Sequence, residues 1–109
     1  MKRIQFDTTK VKDWMSFHQV FKTIMGFPTF YGANMDAWID CMSYVDSPEA
    51  EMSQITIEKG DLLLLEISDT EDFKKRCPEQ LSTLIECTAF VNRRHVEMDS
   101  SPVLSLTFL

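Results

Sequence analysis

The sequence predicts an α/β fold: a small three-stranded parallel sheet packed with helices, in a single domain over residues 1–109. Three observations predict it. Hydrophobic periodicity changes along the chain in the order strand, helices, strand, helices, strand. The run Leu62–Ile67 is apolar on both faces, the pattern of a strand covered on both sides. Strands joined through helices pair in parallel by right-handed crossovers.

Taken in order, Arg3–Phe6 reads as a strand with Ile4 and Phe6 on one face. Asp13 can cap a helix that runs to about Met25, with Trp14, Phe17, Phe21 and Ile24 as its apolar stripe. Gly26 provides a left-handed stop, Phe27 folds back on the last turn, and Pro28 blocks continuation. A second helix is expected from Asn34 to about Tyr44. In the following segment, Pro48 and its acidic neighbours mark a loop. Ile55 and Ile57 alternate with polar residues, so residues 53–58 are expected to add an edge strand. Lys59-Gly60-Asp61 would turn that strand into Leu62–Ser68 as a hairpin. A short helical turn follows from Asp69 or Thr70, and Pro78 suits the first position of a longer helix reaching about Arg94. The expected core stripe of that helix is Leu81, Leu84, Ile85, Thr88 and Val91. Val103–Leu109 closes the chain as a strand with Leu104, Leu106 and Phe108 on one face.

Composition narrows the function. The chain has 109 residues, 44% apolar and 26% charged, which suffices for one core and leaves no room for a second. A net charge of −6 argues against nucleic acid as partner and favours a basic protein. No signal peptide is read, and no apolar run is long enough to span a bilayer, so no membrane partner is expected. Cys41, Cys77 and Cys87 lack metal-site spacing and are read as reduced, partly buried thiols, which points to a cytoplasmic location. No metal or organic cofactor is expected.

The most informative stretch is Phe27–Met42. It reads as an aromatic loop, a turn at Gly32 (where a Cβ would strain the backbone) and a short helix capped by Asn34. Met35, Trp38, Cys41, Met42 and Val45 share one side of that helix and are read as core. Asp36, Ile39, Asp40 and Ser43 share the other. Like charges at i and i+4 oppose an isolated helix by a few tenths of a kcal/mol, so Asp36 and Asp40 call for a reason other than helix stability.

Pro28, Phe30-Tyr31-Gly32, Asn34-Met35-Asp36-Ala37, Trp38-Ile39 and Asp40-Cys41, with Phe17-His18-Gln19 upstream, resemble the barstar family. These are intracellular inhibitors of barnase-type ribonucleases. The likeness runs without a gap from about Phe6 to Met42, roughly a third of the chain. It implies the same three-stranded parallel core. It also implies that Asp40 occupies a ribonuclease's phosphate site, with Asp36 at the edge of the contact. Phe30, Ala33 and Ile39 stand where archetypal members carry Tyr, Glu and Trp. These departures bear on which nuclease is the target.

A ribonuclease cleft gathers Arg, Lys and His around phosphate, and a carboxylate on an ordered helix can fill that space at small entropic cost. The partner-binding set is therefore read as Asp36, Asp40, Ile39, Phe30, Tyr31, Asn34, Ser43 and Tyr44. Ile39 is expected to be exposed between the two charges. The expected partner is a basic ribonuclease or nuclease toxin, and the free chain is expected to be a monomer. The alternative is an immunity or interaction protein of the same fold serving a non-ribonuclease partner. Catalysis by the Asp36–Asp40 pair finds no support from a phosphate loop, a metal motif or a nucleophile elbow, so no enzyme is read. His18 and His95 are read as packing or hydrogen-bonding residues.

Overall fold

The computed structural model describes residues 1–109. Strands β1 (Lys2–Phe6), β2 (Leu63–Ile67) and β3 (Leu104–Phe108) form one parallel sheet in the order β1-β2-β3. Helices α1 (Trp14–Met25) and α2 (Met35–Ser43) join the first two strands, and α3 (Thr70–Arg76) and α4 (Pro78–Glu97) join the last two. The fold is the α/β arrangement expected from the sequence.

Strand order decides where the core lies. Both crossovers step in the same direction across the sheet, and right-handed connections then place all four helices on one face. Ile4 and Phe6, Leu63, Leu65 and Ile67, and Leu104 and Leu106 point to that face. Phe6, Leu63, Leu65 and Ile67 are completely buried. The opposite face carries Arg3, Gln5, Leu64, Glu66, Ser105 and Thr107, none of them buried. The expectation that β2 is covered on both sides is thus corrected. A doubly covered sheet needs a crossover that reverses direction, and this topology has none.

Phe6 stacks on Phe21 at 4.3 Å between centroids and meets Phe17 and Phe73 edge-on, tying β1 to α1 and α3. Such aromatic pairs add about 0.5–1.5 kcal/mol each beyond area burial. In α1 the Asp13 carboxylate accepts from Ser16 N–H at 2.8 Å, completing a capping box with the Ser16 hydroxyl. Its buried face is Phe17, His18, Phe21 and Met25, with Trp14 and Ile24 only half-buried, so the stripe is rotated from the expected one. Gly26 ends the helix at φ +67°, as expected. In α4 the buried face is Gln80, Leu81, Leu84, Thr88 and Val91. Ile85 lies outside it at 43% exposure, a second correction to the expected stripes.

Residues 53–58 form no strand. β2 is the central strand, with β1 on one edge and β3 on the other, so no edge remains for a hairpin partner. The segment instead gives its N–H groups to other carbonyls: Gln54 and Ile55 donate to Met25, and Ile57 donates to Val45 at 2.9 Å. It caps the end of α1 while burying Ile57. The turn at Lys59-Gly60 does form, with Asp61 N–H donating to the Glu58 carbonyl at 3.0 Å.

Candidate protein-docking site

The loop before α2 is built from the inside. Phe27 and Tyr31 are buried against each other at 4.7 Å. The Tyr31 hydroxyl lies 2.6 Å from His18 Nδ1, within the core. Burial raises the Tyr31 phenol and lowers the His18 imidazole, so both groups are uncharged at neutral pH. A neutral imidazole carries one N–H and one bare nitrogen, and the phenol oxygen can both donate and accept, so the pair is joined by one hydrogen bond whose direction follows the ring's tautomer. Tyr31 thus anchors the loop, whereas its neighbour Phe30 stands out at 74% exposure.

The two histidines behave as read. His95 Nε2 lies 2.8 Å from the Ser43 carbonyl. For His18 a pH dependence follows. The unfolded imidazole protonates near its ordinary value of about 6.5, while the folded one, lowered by burial, resists protonation. This contribution to stability is complete above the unfolded value and is lost as pH falls through the folded one. Urea midpoints at about pH 7.5 and about pH 5.5 should show a loss in the wild type that is smaller in His18→Gln; identical slopes contradict it.

Gly32 does not hold the strained position. Ala33 does, at φ +53°, while a Cβ on Gly32 would meet nothing closer than 3.4 Å. The turn places the left-handed residue immediately before the cap. Replacing Ala33 by Gly removes the Cβ strain of that conformation, offset by the greater freedom of an unfolded glycine. We expect Ala33→Gly to leave the melting temperature level or raise it, and a clear fall would show that the Ala33 methyl is needed.

Asn34 Oδ1 accepts from Ala37 N–H at 2.8 Å, so the side chain is spent on capping α2. From that fixed start the helix turns Trp38, Cys41 and Met42 inward, and Val45 follows into the core. Asp36 and Asp40 lie on the outer face, exposed, and neither takes part in an ion pair. Between them Ile39 is half-buried and packs on the core, which corrects the expectation that it is exposed. Ser43 is half-buried, its hydroxyl donating to the Ile39 carbonyl at 2.6 Å, and Tyr44 ends the helix at 48% exposure. Burial, then the charge of Asp40, pushes the Cys41 thiol up to about 11, so it is no nucleophile at neutral pH.

Sequence reasoning missed the neighbouring helix. α2 lies against α4. The Cys87 thiol is raised first by burial and then by the charges of Glu86 and Asp36. With Ser43 bonded to His95, this sets the register: the two helices run in the same direction, with Asp36 level with Cys87. Asp46, only 4% exposed, was missed as well. Nothing in the sequence separates it from Glu49 and Glu51 nearby, because only the tertiary fold buries it.

The barstar family model, described as Barstar (barnase inhibitor), matches residues 1–105. The chain belongs to the barstar family. Among curated proteins, none matches. Barstar-family proteins are inhibitors that bind a ribonuclease rather than enzymes, and the three-stranded parallel core of this member is consistent with the barstar fold. No helix in it is long and apolar enough to cross a membrane. No group of three or more His, Cys, Asp or Glu side chains is placed to hold a metal ion.

Proposed function

We propose that this barstar-family protein is a cytoplasmic inhibitor of a basic ribonuclease, monomeric until it meets its target, which it blocks by inserting the outer face of α2 into the active site. One observation carries the proposal: Asp36 and Asp40 stand exposed and without ion-pair partners on a helix fixed from below by Trp38 and at its start by Asn34. Two free carboxylates on an ordered backbone can meet the cations that bind RNA phosphate, with little further entropy to lose. Phe30 and Tyr44 supply exposed rings on either side, suited to excluding water from the contact. Ile39, half-buried between the aspartates, adds apolar contact, while Tyr31 and Ser43 act from beneath and the exposed Asn34 acts as the cap, holding the loop and helix in place. The net charge of −6 favours encounter with a basic partner and makes it salt-sensitive.

The test is RNA degradation by a purified barnase-type ribonuclease titrated with this protein. Activity should fall to background near one equivalent, and raising salt should slow association. Undiminished degradation at excess inhibitor contradicts the reading.

A further inference from the structure

We propose that the cleft beyond the C-terminal end of α2 takes one arginine side chain of the protein partner, seated between the Tyr44 ring and the buried carboxylate of Asp46. The proposal rests on the reading that the partner is a basic protein docking on α2. The cleft has a volume of about 300 Å³, and Ser43, Tyr44, Asp46, Lys59, Arg94 and His95 line it.

The Asp46 side chain is 4% exposed, and its hydrogen-bond and ion-pair contacts are all long: Ser47 Oγ at 3.5 Å, Lys59 Nζ at 3.6 Å and His95 Nδ1 at 4.0 Å. Charge-assisted N–H···O bonds are normally about 2.7–2.9 Å, and a buried carboxylate without close partners is costly. His95 cannot close the gap as a neutral ring. Its Nε2 faces the Ser43 carbonyl, which only accepts, so the proton sits there and Nδ1 is left bare toward Asp46.

The site favours a cation. α2 and α4 both end beside it, and helix C-termini carry partial negative charge. The chain already lends it one: the Lys59 ammonium lies 3.3 Å from Ser47 Oγ and 3.4 Å from the Asp46 carbonyl, on a side chain that is 73% exposed. So loosely held and exposed a lysine is a replaceable stand-in. Arg94, the other cation in the wall, has its guanidinium over the Phe90 ring at 5.8 Å. A guanidinium fits better than an ammonium, because its planar fork can make two parallel bonds to a carboxylate while its face stacks on an aromatic ring. Tyr44 offers that ring one helical turn beyond Asp40, so the pocket adjoins the acidic face.

The experiment is an NMR titration of the full chain with argininamide, following the His95 imidazole and the Ser100 amide, with sodium acetate and sodium chloride as controls at matched ionic strength. Saturable shifts with argininamide alone are expected. Lys59→Ala should tighten binding at least twofold, and Asp46→Asn should abolish it. Tyr44→Ala, at an exposed position, should weaken it severalfold and serves if Asp46→Asn fails to fold. Shifts that do not saturate, that acetate reproduces, or that survive both the Asp46 and Tyr44 changes overturn the proposal. The probe needs no ribonuclease, so its failure leaves the inhibitor reading standing, and a failed ribonuclease assay leaves this titration readable.

Discussion

Asp40→Ala should weaken binding to the proposed ribonuclease target by about 3–5 kcal/mol, a hundredfold or more in Kd. The size follows from what is left behind. In the free inhibitor Asp40 is exposed and unpaired, so its removal changes nothing in the chain's own hydrogen bonding. In the proposed complex it would face enzyme cations that the interface strips of water, and alanine would leave them buried without a counter-charge. Asp36→Ala should cost less, because in the proposed contact that carboxylate lies at the edge. The melting temperature of Asp40→Ala should stay level or rise slightly, since the change also relieves i,i+4 repulsion with Asp36. Isothermal titration and thermal melts on the two variants check this; equal Kd for wild type and Asp40→Ala refutes it.

Trp38→Ala gives the largest loss of stability, about 3–5 kcal/mol by the usual range for buried aromatic truncations. Trp38 is completely buried and meets Phe21 edge-on at 5.6 Å, joining α2 to α1. Its Nε1 has no hydrogen-bond partner in the core. That detail separates two substitutions. Trp38→Phe keeps much of the apolar contact and removes the orphaned donor, so it should be far milder than Trp38→Ala. Ile39→Ala falls between: being half-buried on the core, it should lower both stability and affinity modestly, and not affinity alone. Urea unfolding of the three variants orders them; a Trp38→Phe as damaging as Trp38→Ala would show that the indole nitrogen has a role that these contacts do not account for.

What could be read from the sequence was local. Asp13 and Asn34 cap their helices, Gly26 stops α1 and Pro78 opens α4, because each acts on backbone groups within a turn of itself. The outward placement of Asp36 and Asp40 followed from helical periodicity alone. The misplaced features depend on distant partners. Residues 53–58 alternate like a strand, but whether they pair was decided by β1 and β3 claiming both edges of β2. Leu64 reads as core although its face of the sheet has no helix, because coverage follows strand order and not strand composition. Ile39 lies on the polar side of its helix yet is half-covered by the core. The Tyr31–His18 contact spans a loop and a helix, and no spacing rule announces it. Asp46 is buried by the ends of two helices that only the finished fold brings together.

By the proposed mode of inhibition, the α2 carboxylates take the place of RNA phosphate in the enzyme. Competition between this protein and a mononucleotide for one barnase-type ribonuclease tests it most directly. Mutual exclusion is expected, with the apparent Kd of the inhibitor rising in proportion to nucleotide concentration once the nucleotide site is saturated. A ternary complex, with inhibitor affinity unchanged at saturating nucleotide, would contradict it.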